Sequence, residues 1–302
     1  MQVVLAHPEG IDLMGDVPEE VELHVWDGAA DPPVPADSVE FLVPPLLAAP
    51  ERFLSLRMTN LSVVQLLTAG ADAWFGRLPG DVTLCDARGV HSSSTSEWAI
   101  TAMLAALREF PRFAVAQAAG RWDHGSTDEL AGKRVLIIGS GDIGQALGRR
   151  LDPFEVEVVR VARKRREGVH AVAELPALLP EADIVVLLVP LTHATRGMVD
   201  AAFLARMTDG ALLVNAARGP IVDTDALVAE LASGRLRAAL DVTDPEPLPP
   251  AHPLWTVPGL LLTPHVAGSV RGLLPRAYEL VARQLWRYAE GEPLDNMVHD
   301  GY

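Results

Sequence analysis

The most constraining feature of the sequence is an alternation of short apolar runs with helix-like segments between residues 134 and 263. The runs are mostly rich in Val, Leu and Ile and are largely apolar on both faces, which is typical of strands buried on both sides of a parallel sheet. Six of them read RVLIIG, VEVVRV, ADIVVLLVP, GALLVNAA, RAALDV and GLLLTP. This alternation predicts a doubly wound α/β domain.

The first 90 residues repeat the pattern in a looser form, with shorter helical segments between the runs. The runs that predict strands here read QVVLA, VELHVW, VEFLVP, LSVVQLL and VTLCDA. They indicate a second, smaller α/β lobe. Ser94 and Glu97 are spaced as a capping box, which predicts a long helix that begins there and runs until just before Pro111. This helix marks the boundary between the two lobes.

The stretch VLIIGSGDIGQALG places three glycines as G-x-G-x-x-G directly after a predicted strand and at the opening of a predicted helix. Glycines in this context allow a tight turn and let the backbone approach a pyrophosphate at the helix N-terminus. A turn that merely packs a strand on a helix would look similar, but the further strands that follow favour a nucleotide site. The residues predicted to form that dinucleotide site are Gly139, Gly141, Asp142, Ile143 and Gly144.

The residues after the next strand bear on which dinucleotide is bound. In NAD-binding versions of the fold, an Asp or Glu about 20 residues beyond the glycines accepts hydrogen bonds from the ribose 2′-hydroxyl. Here the strand ends at Val161, no carboxylate stands near Ala162, and Arg163 and Lys164 follow. Arg can hold a phosphate through two parallel hydrogen bonds. We therefore expect NADP rather than NAD, although a basic run is also compatible with a solvated surface.

Composition excludes several other classes of function. The formal net charge of −15 argues against a nucleic-acid partner, because such binding depends on Lys and Arg. The single cysteine, Cys85, excludes an intramolecular disulfide, and His91, His124 and His193 have no metal-ligand spacing. No apolar stretch approaches the ~18–20 residues of a membrane span, and the N-terminus does not resemble a signal peptide. We expect a cytoplasmic protein with no metal and no membrane partner.

Three further stretches follow predicted strands, where open α/β sheets bind ligands. They read NAARGPIVD with Arg218, DVTDPEPLP with Glu246, and TPHVAG with His265. With TAGAD at 68–72, VPLTHATRG at 189–197 and the closing GEPLDNMV, they resemble the D-isomer-specific 2-hydroxy acid dehydrogenases over nearly the whole chain. The resemblance implies an NAD(P)-dependent enzyme with two Rossmann-like lobes. A doubly wound dinucleotide-binding domain of residues 94–274 would be inserted in a flavodoxin-like substrate domain of residues 1–93 and 275–302.

The resemblance also implies roles for individual residues. His265 is the expected general acid/base, which suits imidazole because its ordinary pKa of about 6.5 lies near working pH. Glu246 would favour the protonated imidazole, and Arg218 would bind the oxygens of a 2-oxo acid and polarise its carbonyl group. Further cofactor contacts are expected at Pro190, Thr195, Ala216 and Asp241, of which Asp241 would hydrogen-bond the nicotinamide carboxamide and Thr195 would lie near the phosphates. The substrate carboxylate is expected to bind the backbone of Ala69, Gly70 and Ala71.

The substrate class and the partner are less constrained. The segment FLVPPLLAAP in the small lobe is apolar, and no Lys or Arg precedes Arg52, so a small unphosphorylated acid, glyoxylate or hydroxypyruvate, is favoured. Alternatives are an NAD-linked phosphoglycerate dehydrogenase-like enzyme and a non-catalytic dinucleotide-sensing protein of the same fold. The family resemblance further implies a homodimer formed through the dinucleotide-binding domain, with the helical segment 96–113 at the contact. Trp98 would line the cleft or pack that helix, and packing is favoured.

Overall fold

The computed structural model describes residues 1–299 and divides the chain into two compact units. The first unit comprises Met1–His91 and the segment that begins at Val270, and the second comprises Ser92–Ser269. The second unit is therefore inserted into the first. Both contain a parallel β-sheet, which confirms the expectation of an α/β protein with two Rossmann-like lobes.

The first unit contains a five-stranded parallel sheet in the order β2-β1-β3-β4-β5. This is the flavodoxin-like order. Its strands are β1 (Gln2–Leu5), β2 (Glu22–Val25), β3 (Val39–Val43), β4 (Val63–Gln65) and β5 (Thr83–Cys85). Its helices are α1 (Glu9–Met14), α2 (Pro50–Leu54) and, from the last part of the chain, α9 (Leu273–Ala289).

The second unit contains a seven-stranded parallel sheet in the order β12-β11-β10-β9-β6-β7-β8. Its strands are β6 (Arg134–Ile138), β7 (Glu157–Ala162), β8 (His170–Ala171), β9 (Ile184–Leu187), β10 (Leu212–Asn215), β11 (Arg237–Leu240) and β12 (Leu260–Leu262). Its helices are α3 (Ser92–Leu107), α4 (Phe110–Ala118), α5 (Asp142–Leu151), α6 (Leu175–Leu178), α7 (Ala201–Leu204) and α8 (Thr224–Ala232). The order reverses next to β6, and ligands of open sheets bind at such a switch point.

Both faces of this sheet are buried, as the apolar runs predict. Along β6, Leu136 and Ile138 belong to one hydrophobic cluster, whereas Val135 and Ile137 belong to the cluster on the opposite face. The second cluster also receives α3, and Trp98 packs against it. The packing interpretation of Trp98 is therefore confirmed.

The predicted limits of the boundary helix are wrong at both ends. α3 begins at Ser92, so Ser94 lies within its first turn and is not the cap; a run of serines offers several caps that sequence does not distinguish. Ser96 illustrates the ambiguity, since its hydroxyl bonds back to the Ser92 carbonyl. At the other end α3 stops at Leu107, and Pro111 lies in the first turn of α4, where a missing N–H costs nothing.

The segment expected at a homodimer contact contains two different surfaces. Met103 and Leu107 of α3 are buried in the core of their own unit. Phe110 and Val115 of α4 are exposed instead, at 61% and 65%. Among residues 1–299, no helix combines the length and the apolarity that crossing a bilayer requires.

Candidate active site

The glycine-rich turn joins β6 to α5, and two of its glycines are required by the protein itself. A Cβ on Gly144 would lie 2.0 Å from the carbonyl oxygen of Gly139. A Cβ on Gly139 would lie 2.4 Å from the carbonyl oxygen of Leu188, and Gly139 also has a φ of +116°. These two residues therefore allow the strand, the turn and the helix to approach one another closely.

Gly141 differs from its two neighbours, because a Cβ there would meet no protein atom within 4 Å. Gly141 is the N-cap of α5, and no side chain of the described residues caps this helix. The first N–H groups of a helix, here those of Asp142 and Ile143, have no acceptor within the helix. The turn is thus an open cradle of backbone donors at a ten-residue helix, and it fits the pyrophosphate of a dinucleotide.

The four cations that follow β7 are not equivalent. Arg165 is held by Glu174, with Nε–Oε1 and Nη2–Oε2 distances of 3.0 and 2.6 Å. Hydrogen bonds from Arg165 and then His170 lower the pKa of Glu174 to about 2. Arg166 Nη2 donates to the carbonyl oxygen of Ser140 at 2.9 Å, inside the glycine-rich turn. No sequence motif singled out Arg166, although its place in the basic run was an available signal.

Arg163 and Lys164, the two residues expected to bind a 2′-phosphate, lie directly after the end of β7 and are solvent-exposed. β7 pairs with β6 on the side of the sheet opposite to β9. The two side chains therefore leave the sheet next to the strand that precedes the glycine-rich turn.

The expected catalytic pair is in direct contact. His265 follows β12 and Glu246 follows β11, and Nδ1 of His265 lies 2.5 Å from Oε1 of Glu246. Both side chains are partly exposed, at 25% and 39%, so they can reach a bound molecule. The imidazole is thus held by a carboxylate through its Nδ1.

Asp241 lies at the end of β11, is 2% exposed, and supports the His265 loop. Its Oδ1 accepts the hydroxyl of Thr263 at 2.6 Å and the amide of Val266 at 2.8 Å. Its Oδ2 accepts the amide of Ala267 at 2.8 Å. The family resemblance implied a cofactor contact at Asp241, and no sequence motif indicated these internal hydrogen bonds.

Arg218 follows β10, the neighbour of β11 in the sheet. Its Nη1 donates to the carbonyl oxygen of Ala217 at 2.8 Å, and its own carbonyl accepts from Asn215 Nδ2 at 3.1 Å. A Cβ on Gly219 would lie 1.9 Å from the carbonyl oxygen of Thr243, so the Arg218 loop rests directly on the segment that leads to Glu246. Arg218, Glu246 and His265 thus share the carboxyl edge of three adjacent strands.

The remaining expected cofactor residues lie at the same edge. Thr195 Oγ1 donates to the carbonyl oxygen of Pro190 at 2.6 Å, so these two residues are held together in the loop after β9. Ala216 is half-buried directly after β10.

The expected carboxylate-binding segment belongs to the first unit, where it follows β4. The hydroxyl of Thr68 donates to the carbonyl oxygen of Gly70 at 2.8 Å, and the Ala71 carbonyl accepts the amide of Trp74 at 2.9 Å. Ala71 is fully buried, whereas Ala69 and Gly70 are half-buried.

A doubly wound parallel sheet with an open glycine cradle at its switch point defines the class of dinucleotide-binding α/β proteins. The family model of D-isomer specific 2-hydroxyacid dehydrogenases, NAD binding domain, matches residues 100–267. This chain therefore belongs to the D-isomer specific 2-hydroxyacid dehydrogenase family and is an NAD(P)-dependent oxidoreductase that acts on 2-hydroxy acids. The expected family, cofactor class and enzyme class are confirmed at this level.

Individual relatives cover almost all of the chain. The glyoxylate reductase/hydroxypyruvate reductase of Homo sapiens is 32% identical over 297 residues, 91% of this chain and 90% of the human protein. The D-isomer specific 2-hydroxyacid dehydrogenase of Xanthobacter autotrophicus Py2, solved with NADPH and MES, has a TM-score of 0.85 at 31% identity and 99% coverage of both chains. The NADPH-dependent glyoxylate/hydroxypyruvate reductase of Sinorhizobium meliloti, solved with NADP and sulfate, has a TM-score of 0.82 at 29% identity and 98% coverage of both.

Proposed function

We propose that this protein reduces a small unphosphorylated 2-oxo acid, glyoxylate or hydroxypyruvate, and that it prefers NADPH to NADH. The observation that carries the proposal is the 2.5 Å contact between His265 and Glu246 beside the Arg218 loop, at the sheet edge that also forms the glycine cradle. An acid, a cation and a dinucleotide site are the three elements that this reduction needs.

In the proposed mechanism, His265 donates a proton to the carbonyl oxygen of the 2-oxo acid and becomes neutral. Glu246 holds the ring by its Nδ1. Arg218 binds the substrate oxygens and stabilises the negative charge that develops on the carbonyl oxygen. The bound nicotinamide supplies the hydride. The backbone of Ala69, Gly70 and Ala71 is proposed to bind the substrate carboxylate.

The preference for NADPH is supported by the cations next to the cradle. Arg163 and Lys164 are exposed after β7, and Arg166 already reaches Ser140 in the turn. The backbone of the pyrophosphate site would come from Gly139, Asp142, Ile143 and Gly144. Further cofactor contacts are proposed at Pro190, Thr195, Ala216 and Asp241. The Xanthobacter and Sinorhizobium relatives were solved with NADPH and NADP, which is consistent with this preference.

The preference for an unphosphorylated acid rests on the first unit. The segment after β3, which contains Pro44, Leu46 and Leu47, is apolar, and no Lys or Arg precedes Arg52 in the chain. A substrate phosphate would find no cation in that segment. The human and Sinorhizobium relatives carry the names of glyoxylate and hydroxypyruvate reductases, which supports the same substrate class.

The test is to follow oxidation of NADPH and NADH with glyoxylate, hydroxypyruvate, pyruvate, longer 2-oxo acids and phosphohydroxypyruvate. We expect the highest kcat/KM with NADPH and one of the two small acids. Tight dinucleotide binding without turnover of any acid would indicate a sensor, and preference for phosphohydroxypyruvate with NADH would indicate a phosphoglycerate dehydrogenase.

Variants test which of these cations bind the 2′-phosphate of NADPH. Combined Arg163→Ala and Lys164→Ala, or Arg166→Ala, should raise the KM for NADPH by about tenfold or more per lost phosphate contact and barely change that for NADH. Arg149→Ala, which removes an exposed cation at the far end of α5, is the matched control and should leave the ratio of the two KM values unchanged. Equal effects on NADPH and NADH would assign the basic run to a solvated surface.

A further inference from the structure

A hydrogen-bond chain that begins on α3 ends at the loop of His265. Trp98 Nε1 donates to the hydroxyl oxygen of Thr263 at 3.1 Å. That hydroxyl donates to Oδ1 of Asp241 at 2.6 Å. Trp98 and Thr263 are 165 residues apart in sequence, and all three residues belong to the second unit.

The direction of this chain is determined by its first member. An indole N–H can only donate, so Trp98 occupies a lone pair of the Thr263 oxygen. The hydroxyl proton of Thr263 is then directed to Asp241, whose carboxylate can only accept. Hydrogen bonds in such a chain polarise and strengthen one another, and Asp241 at its end is 2% exposed.

Asp241 connects this hydrogen-bond chain to three consecutive amides of the His265 loop. Its main-chain carbonyl accepts the amide of His265 at 2.7 Å, and its carboxylate accepts the amides of Val266 and Ala267 at 2.8 Å each. His265 has a φ of +53°, a conformation that non-glycine residues adopt only when the surroundings enforce it. The bonds to Asp241 are the local restraint that enforces it.

The placement of His265 matters because its ring must meet Glu246 at 2.5 Å while it faces a substrate. Displacing a reacting group by about 1 Å can cost about 100-fold in rate. A side chain that stiffens the loop therefore acts on the proton-transfer step without contacting the substrate.

We propose that Trp98 is a positioning residue: through Thr263 and Asp241 it holds the His265 imidazole against Glu246 for proton transfer. This inference rests on the proposed role of His265 as the proton donor. The buried carboxylate of Asp241 accordingly serves the loop, whether or not it also contacts the cofactor.

Trp98→Phe tests the link, because it keeps an aromatic ring against the core and removes the N–H donor together with part of the indole ring. We expect kcat for 2-oxo acid reduction to fall about tenfold, with the dissociation constant for the dinucleotide nearly unchanged. The loss of ring volume alone would lower Tm and leave kcat near the wild-type value.

A second pair of variants keeps the proposal testable if Trp98→Phe folds poorly. Thr263→Ser retains the hydroxyl and should retain kcat, whereas Thr263→Val should reproduce the Trp98→Phe loss of kcat. Because both changes break one chain, Trp98→Phe combined with Thr263→Val should be no slower than Thr263→Val alone. Additive losses would overturn the proposal.

Trp286→Phe is the matched control, since it removes an indole donor that bonds to the Asp16 carbonyl in the first unit at 3.2 Å. It should leave kcat unchanged. If Trp98→Phe weakens dinucleotide binding as much as it lowers kcat, the hydrogen-bond chain serves the cofactor and the proposal is wrong. If His265→Ala retains turnover, the proposed function itself fails. If His265→Ala is inactive while Trp98→Phe and Thr263→Val keep a wild-type kcat, only this inference fails.

Discussion

The two units have the same layered packing and differ in the turns and loops at the ends of their strands. Each contains a parallel sheet with hydrophobic clusters on both faces. In the second unit, β6 leads through a glycine turn into the ten-residue α5, whose N-terminus is open. In the first unit, β1 leads through His7 and Pro8 into the six-residue α1. The sheet is therefore a common scaffold, and the turn decides whether an anion can bind there.

The charged groups at the strand ends differ in the same way. The loops after β10, β11 and β12 carry Arg218, Glu246 and His265. The loops after β3 and β4 in the first unit carry prolines, leucines and the small residues 69–71. The strand ends of the second unit therefore carry an acid and a cation, whereas those of the first unit carry mainly apolar and small residues.

The largest expected effect is the loss of kcat in His265→Ala. His7→Ala, which changes a histidine after the first strand of the other unit, is the comparison. His265→Ala should lower kcat by about 10²–10⁴-fold, the usual contribution of a general acid, while the dinucleotide dissociation constant stays near the wild-type value. His7→Ala in the first unit should cost stability, because His7 contacts the hydroxyl of Tyr278, and should leave kcat within about twofold. Steady-state kinetics and fluorescence titration measure both, and a comparable kcat loss in the two variants would break the comparison.

Glycines at the helix that follows the first strand of each sheet should separate effects on packing from effects on binding. Gly141→Ala should fold like the wild type, because its Cβ meets no protein atom, yet weaken dinucleotide binding about tenfold or more by filling the cradle. Gly10→Ala places a Cβ 2.4 Å from the buried ring of Tyr278, so it should lower the free energy of unfolding by about 1–3 kcal/mol. Its dinucleotide affinity should not change. Urea unfolding and calorimetric titration provide the two readouts, and unimpaired binding by Gly141→Ala would remove the distinction.

The smallest effect is expected at alkaline pH in the first unit. Burial raises the pKa of Cys85 and that of Tyr278 to about 12 each. A folded-state pKa above the unfolded value gives stability that is complete below the unfolded pKa and is lost as pH rises toward 12. Tyr278→Phe should therefore be less stable than the wild type by about 1 kcal/mol at pH 8, through the lost contact with His7, and this deficit should shrink at pH 11.

Urea unfolding at the two pH values measures this difference. A deficit that stays constant from pH 8 to pH 11 would contradict the assignment to Tyr278 ionisation.

Local patterns sufficed to predict most of the fold. The apolar runs correspond to every strand except β8, whose two residues, His170 and Ala171, are too few to show a periodicity. The helix after the glycine turn follows from the same local rules. The limits of α3 did not follow, because Ser92, Ser94 and Ser96 are equivalent as caps until the first turn is packed.

The sequence predicted which residues belong to the site but not the hydrogen bonds that join them. Arg218, Glu246 and His265 were recognisable from their motifs at strand ends, and the basic run from its place after β7. The sequence pointed to Arg163 and Lys164, and the structure adds Arg166, which donates to the Ser140 carbonyl in the glycine turn, whereas Arg165 is held by Glu174.

The sequence by itself determined the α/β class, the glycine cradle, the family and the kinds of charge at the strand ends, because each depends on short motifs and their order along the chain. Only the tertiary structure decided the partners of the buried polar groups. Trp98 meets Thr263, and Thr263 meets Asp241, because strand order and register bring α3, β11 and β12 together. Such contacts depend on the packing of distant elements, which local periodicity does not encode.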